Sequence, residues 1–273
     1  MPIKLIATDL DGTLMAGDHL TVTERTRQAL YSAHEKGVKI AIATGRTLDF
    51  IDHVTNQIDF VDYVIFSNGA SVFDRNAGKT IYTNHIVPDS VERILDFLNS
   101  LPVYYNLYFD GGMYIQKNKL GYYENHELPK AFLDSYMKKA HICPSLAQAA
   151  KGKSAESVAV FSLTDSRRAE ISDFLASEGL VLTSSMPREV EATANGADKG
   201  SALSGLCSLL GFSAKDAMSF GDSGNDITML SAAGYSFAME NGEDICKKTA
   251  ANIAPPNTED GVARMVEKYV LGL

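Results

Sequence analysis

Residues 3–13 read IKLIATDLDGT: a short apolar run, then two aspartates separated by leucine, then glycine and threonine. An apolar run of this length, bounded by a turn signal, reads as a strand buried on both faces, as in a parallel sheet. Four further stretches repeat the pattern: VKIAIATG (38–45), YVIFSNG (63–69), AMSFGD (217–222) and YSFAMEN (235–241). Helical patterns lie between and after them. Thr21 and Glu24 have capping-box spacing and open a segment that ends at Gly37. Leu203, Leu206 and Leu210 line one helical face before Gly211, and Val262, Met265, Val266 and Tyr269 repeat the same face spacing. Strands alternating with helices predict an α/β fold, a parallel sheet covered on both faces.

The middle of the chain reads differently. Val91, Ile94, Leu95 and Leu98 define a helix started by Asp89 or Ser90. VYYNLYF (103–109) and MYIQ (113–116) flank Asp110-Gly111-Gly112, which reads as a hairpin. SVAVFSL (157–163) and LVLTS (180–184) flank another helix carrying Ile171, Phe174 and Leu175. These elements predict an inserted α+β unit over 85–189, with 1–84 and 190–273 forming one discontinuous core.

With 273 residues, 45% of them hydrophobic, the chain is long enough for two packed domains. Its 25 basic and 34 acidic side chains leave a net charge of −9, a poor basis for binding nucleic acid or an anionic membrane. The apolar runs are strand-sized, and Asp9 and Asp11 come too early for a signal-peptide core, so a soluble cytoplasmic protein is expected. Cys143, Cys207 and Cys246 are too few and too far apart for a disulfide framework or a zinc site. His19, His34, His53, His85, His126 and His141 lack metal-ligand spacing and read as structural or exposed.

The chemistry is expected where the strands end, because ligands of open parallel sheets bind beyond the strands' carboxyl ends. Asp9 and Asp11 follow the first strand there. They would repel each other unless a cation or proton intervened, although Asp-Gly is also an ordinary turn signal. Gly221-Asp222-Ser223-Gly224-Asn225-Asp226 follows another strand and adds oxygen ligands. Asp9, Asp11 and Asp222 would together suit a hard cation such as Mg²⁺. Thr44-Gly45-Arg46 ends a third strand; Thr44 offers a hydroxyl and the next helix start offers N–H groups for a phosphate, or Thr44 is a plain N-cap. Lys199 opens a helix, where its charge opposes the helix dipole, which favours a role in binding phosphate and offsetting the carboxylates. Asn68-Gly69 ends a fourth strand and doubles as a hairpin turn. Tyr104, Tyr105, Tyr108, Phe109 and Tyr114 read as core of the inserted unit before they read as a pocket lining.

Taken in order, D-L-D-G-T, the strand ending in Thr44, Lys199 and G-D-S-G-N-D resemble the four motifs of the haloacid dehalogenase superfamily. The large insertion resembles the α/β cap of its Cof-type sugar-phosphatase branch. The resemblance implies a Rossmann-like core, a mobile cap that selects substrate, and Mg²⁺. It implies that Asp9 is a nucleophile and Asp11 a general acid/base. It further implies phosphate binding by Thr44 with Gly45 and by Lys199, and a metal ligand at Asp222. Asn225 is implied beside the phosphate, and Asp226 beside Lys199 or the metal shell. The expected activity is hydrolysis of a small phosphorylated metabolite, a sugar phosphate foremost, through an aspartyl phosphate. A phosphomutase would use the same intermediate with a different acceptor. A non-catalytic sensor would be expected to lack Asp9 or Asp11, a receiver domain has no need of the insertion, and a serine nucleophile elbow would need glycine where Asn225 stands.

Overall fold

The computed structural model describes residues 2–18, 20–122, 137–161, 163–183 and 188–273; His19, His126 and Ser184 of the LVLTS run lie outside them. In chain order the strands begin with β1 (Leu5–Thr8), β2 (Lys39–Ala43), β3 (Tyr63–Phe66), β4 (Ser71–Asp74) and β5 (Lys79–Thr83). Then come β6 (Tyr104–Phe109), β7 (Gly112–Gln116), β8 (His141–Cys143), β9 (Ser157–Phe161), β10 (Val181–Thr183) and β11 (Val190–Thr193). β12 (Ala217–Gly221), β13 (Tyr235–Met239) and β14 (Asn252–Ala254) follow. The chain divides into one unit of Met1–Thr83 with Asp198–Leu273, and a second of Asn84–Ala197. No helix among the described residues is long and apolar enough to cross a membrane.

In the first unit the sheet order is β14-β13-β12-β1-β2-β3-β4-β5. It is parallel from β14 through β3, and β4 and β5 fold back antiparallel. The chain leaves β1 toward β2 on one side and later returns to β12 on the other. The carboxyl end of β1 is therefore the switch point, where an open sheet leaves a crevice. β1 is buried along its whole length because both faces are covered. Ile6, Ile40, Ile42, Met218 and Phe220 pack with Ala29 and Leu30 of the helix Glu24–Glu35 and with Val262 and Val266 of Gly261–Val266. Leu5, Ala7, Ala41 and Ile65 pack on the other side with Ala202, Leu203 and Leu206 of Lys199–Leu209. A strand between two such layers must be apolar at every position, which is why these runs do not alternate.

Two helix starts differ from expectation. Thr23, not Thr21, caps Glu24–Glu35, its hydroxyl accepting from the Thr26 N–H at 3.2 Å. Thr21 is held in the preceding turn, where its hydroxyl donates to Asp18 Oδ2 at 2.6 Å. In the second unit the helix Pro88–Asn99 is entered from Val87 rather than from Asp89 or Ser90. Proline at the first position brings its own helical φ and lacks only an N–H that would have had no partner there.

The second unit carries the sheet β10-β11-β9-β6-β7-β8. Val91, Ile94, Leu95 and Leu98, with Ile171 and Leu175 of Asp165–Ser177, share one apolar cluster with Tyr105, Leu107 and Val158 of the sheet. The hairpin between β6 and β7 turns on Asp110 and Gly111, both left-handed at φ 52° and 76°, as a tight two-residue turn demands. Tyr104, Tyr105 and Phe109 are buried, and Phe109 stacks on Tyr114 with ring centroids 3.8 Å apart, so these aromatics form core. The unit extends beyond the expected boundary at residue 189, because β11 pairs antiparallel with both β9 and β10.

Gly200 lies in the first turn of Lys199–Leu209, against the helix Ile227–Ala232. A Cβ there would stand 2.3 Å from the Thr228 carbonyl oxygen. Helix propensity alone makes Gly200→Ala a gain of about 1 kcal/mol. The backbone contact reverses the sign, and we expect a loss of about 1–3 kcal/mol in urea unfolding, as for overpacking. A more stable variant would show that the two helices separate without cost.

Candidate active site

Asp9 leaves β1 with its N–H on the Phe220 carbonyl of β12 at 3.1 Å, which carries the strand pairing one residue past β1. The chain then curls through Leu10–Leu14. Gly12, at φ 78°, makes the turn, and a Cβ on it would stand 2.5 Å from Asp222 Oδ2. That approach lets the Thr13 hydroxyl donate to Asp222 Oδ1 at 2.7 Å. Asn241, just beyond β13, donates to the Gly12 carbonyl at 2.8 Å and holds the curl from the other side.

Asp226 organises the loop after β12. Its Oδ2 accepts from the N–H groups of Asp222 at 2.9 Å and Ser223 at 3.1 Å. Its Oδ1 meets Lys199 Nζ at 2.7 Å, and the same ammonium meets Asp9 Oδ1 at 2.7 Å. Lys199 is wholly buried and Asp9 is 5% exposed. The lysine is placed by Asp198, which caps its helix by accepting from the Ser201 N–H at 2.8 Å.

The carboxylates outnumber the ammonium. Asp9, Asp222 and Asp226 each offer an oxygen, and these atoms lie within 4.8 Å of one another. Burial, and then the neighbouring Asp226 and Asp222, push the Asp9 carboxyl well above the usual carboxylate range, against the pull of Lys199. Burial first, then Asp226, raises Asp222 as well. Burial alone would depress Lys199, but Asp226 and Asp9 hold its ammonium above the ordinary lysine value. The site is thus short of positive charge, with oxygen donors only, and this donor set fits a hard divalent cation.

The Asp11 carboxylate stands apart from these three carboxylates. Its Oδ1 accepts from Arg46 Nη2 at 2.7 Å and its Oδ2 from Arg46 Nε at 3.0 Å. The left-handed Gly12 that turns the chain toward Asp222 leaves the Asp11 side chain 46% exposed on the Arg46 side.

Thr44 directly follows β2, buried, with its N–H on the Ile65 carbonyl at 2.8 Å. No long helix starts beside it: the next element is the single short turn Leu48–Phe50, entered from Thr47, whose hydroxyl makes no capping bond. The Thr44 hydroxyl accepts from the Arg46 N–H at 3.1 Å instead, so the expected run of helix-start N–H groups is replaced by a local turn. Asn68 is both a turn residue and a site neighbour. Ser67–Gly69 joins β3 to β4, with Asn68 left-handed at φ 55°. Asn68 Oδ1 accepts from Asn225 Nδ2 at 3.0 Å and would lie 2.9 Å from a Cβ on Gly45. Gly69, at φ 94°, brings this turn so close to the start of the Lys199 helix that a Cβ would stand 2.2 Å from the Asp198 carbonyl oxygen.

Asp9, Thr44, Gly45, Asn68, Lys199, Asp222, Asn225 and Asp226 thus lie on neighbouring turns at one end of the sheet. Thr13, Arg46 and Asn241 also reach into the site, and the sequence motifs alone give them no role. Thr13 and Arg46 sit inside motifs already singled out. Asn241 carries the same signal as Asp222, a polar residue at the carboxyl end of a parallel strand.

The comparisons agree with this arrangement. The family model described as haloacid dehalogenase-like hydrolase matches residues 6–266. A 5-amino-6-(5-phospho-D-ribitylamino)uracil phosphatase of Bacillus subtilis is 32% identical over 98% of this chain and 96% of its own. A pyridoxal phosphate phosphatase of Escherichia coli is 27% identical over 99% of this chain and all 100% of its own. A solved sugar phosphatase of haloacid dehalogenase subclass IIB superposes with a TM-score of 0.78 at 26% identity, over 97% of this chain and 98% of its own. With a buried aspartate at the switch point and a match across nearly its whole length, the chain belongs to the haloacid dehalogenase-like hydrolase family.

Proposed function

We propose that this enzyme hydrolyses a small phosphorylated metabolite, a sugar phosphate foremost, with Asp9 as nucleophile. The observation that carries the reading is the crowding at Asp9: a buried carboxylate at the switch point, 2.7 Å from a wholly buried lysine and beside two further aspartates. Such a cluster costs folding stability, and perturbed titratable groups of this kind gather at functional sites.

Asp9 Oδ attacks phosphorus and the bond to the ester oxygen breaks, leaving an aspartyl phosphate. The departing oxygen takes a proton from Asp11. Asp11, now a carboxylate, takes a proton from water as that water attacks the phosphorus. Inorganic phosphate leaves and Asp9 is free again. Lys199 has three N–H donors, of which Asp9 and Asp226 use two, so one remains for a phosphoryl oxygen. The Thr44 hydroxyl accepts from Arg46 and keeps its own proton to donate to the same group. Asn225, joined to Asn68, lines the phosphate's surroundings. Asp9 and Asp222, with Asp11 through its backbone carbonyl, would hold Mg²⁺, which supplies the positive charge that offsets repulsion between carboxylate and phosphate. Residues Asn84–Ala197 contain none of these side chains, and we assign to them the choice of leaving group. The named relatives act on phosphates with unlike leaving groups, which supports a test across chemical classes: purified protein against a panel of phosphorylated metabolites with Mg²⁺, read by phosphate release. No release from any member would overturn the reading.

Chelation followed by dialysis should abolish turnover, and Mg²⁺ should restore it. Mg²⁺ should also raise the melting temperature of the wild type and leave that of Asp222→Asn unchanged. Equal stabilisation of both would remove Asp222 from the metal site.

Asp9→Asn removes the nucleophile and one of three crowded carboxylates. Turnover should vanish on every substrate, while the Tm without metal stays level or rises, as when a strained functional group is relieved. A drop of several degrees would mark Asp9 as structural.

Exchanging Asn84–Ala197 for the corresponding unit of a relative should change the ranking of substrates and keep the metal dependence. An active chimera with the original ranking would place specificity in the first unit.

A further inference from the structure

Arg46 is not among the residues to which the family motifs give a role, yet it touches the acid/base aspartate through two nitrogens. The fork is bidentate: Nη2 to Asp11 Oδ1 at 2.7 Å and Nε to Oδ2 at 3.0 Å. This geometry suits the carboxylate form and fixes the plane of the group as well as its place; when Asp11 carries its proton, one oxygen gives up its Arg46 contact and the other keeps it. The Asp11 side chain is 46% exposed, and the fork ties it to the turn that carries Arg46.

The arginine is itself anchored on three sides. Its N–H donates to the Thr44 hydroxyl at 3.1 Å, and its carbonyl accepts from the Ser67 N–H at 3.0 Å. Nη1, the nitrogen not used on Asp11, donates to His53 Nε2 at 3.1 Å, within the short helix Asp52–Thr55. Thr44 and the Ser67–Gly69 turn are the elements assigned above to the phosphate side of the site. One residue therefore spans from the phosphate-side backbone to the proton-transferring carboxylate.

We propose that Arg46 is a positioning residue that ties Asp11 to the Thr44 turn, so that the proton donor is held in register with the phosphate, with His53 bracing the guanidinium. This rests on the reading of Asp11 as general acid. Arg46 acts through Asp11 and contributes nothing of its own to attack on phosphorus. Its removal should therefore cost most where the leaving group needs a proton.

The test is single-turnover release of leaving group from p-nitrophenyl phosphate and from phenyl phosphate, whose phenolate is the more basic. The ratio of the two rates is independent of the fraction of enzyme that is folded, so a variant that is merely unstable leaves it unchanged. Asp11→Asn should slow phenyl release more than nitrophenyl release, within the roughly 10²–10⁴-fold that general acid catalysis contributes. Arg46→Ala should shift the ratio in the same direction by about 10-fold or more and leave KM within about 3-fold. Arg46→Lys, which keeps the charge and loses the fork, should fall between. In the Asp11→Asn background, Arg46→Ala should shift the ratio little further, since the group it positions is gone. If Asp11→Asn itself leaves the ratio unchanged, the general-acid reading fails and takes this inference with it. If Asp11→Asn shifts the ratio but Arg46→Ala slows both substrates equally, raises KM, or multiplies its effect in the double variant, the acid reading stands and the positioning role is overturned.

Discussion

Burying an ammonium is expensive, and Lys199 is buried completely. The ion stays in place because Asp9 and Asp226 each stand 2.7 Å from it. Removing the lysine would leave its two carboxylates buried without a counter-charge, an error costing about 3–5 kcal/mol in other proteins. Much of the first unit is arranged around that pair of contacts. β1 must deliver Asp9, β12 must turn so that Asp226 reaches back, and the helix of Lys199 must start within one side chain's reach of both. The tight approaches of Gly69 to Asp198 and of Gly200 to Thr228 set where that helix can lie.

Asp226 meets two demands at once. One oxygen faces Lys199, and the other gathers the N–H groups of Asp222 and Ser223. With these hydrogen bonds made, Asp226 holds the loop in shape. Burial first, and then neighbouring carboxylates, raises the affinity of Asp9 and Asp222 for protons. The structure separates the two aspartates of DLDGT in the same spirit. Asp9 is drawn into the buried ion cluster, and Asp11 is drawn out to Arg46. Two identical side chains, one residue apart, thereby acquire different surroundings, and different surroundings are what two different chemical jobs require.

Much of this was legible beforehand. The five apolar runs are strands because residues buried between two helical layers must be apolar at each position, a constraint that writes itself into composition. The hairpin at Asp110-Gly111 was legible because few residues tolerate two successive left-handed positions. The short strands β5 and β14 were not. β5 is an antiparallel edge whose KTIYT alternates weakly, and β14 has only three residues, one of them the exposed Ile253. The Thr21 cap failed for a local reason: two threonines stood close enough to compete, and Asp18 took one of them.

The sequence by itself determined the alternating α/β plan, the inserted second unit, and the residues gathered at the strand ends, because hydrophobic period and turn chemistry are local properties of the chain. Only the tertiary structure decided who partners whom. That Lys199 bridges Asp9 and Asp226 across 190 and 27 residues of chain is a consequence of sheet order. That Asp226 stands beside Asp9 and Asp222, while the Asp11 carboxylate meets Arg46 across 35 residues, depends on how the turn at Gly12 and the loop after β12 come together. Spacing along a chain fixes which groups can leave a strand together. Their distances in space depend on which strands lie side by side, and no local pattern encodes that.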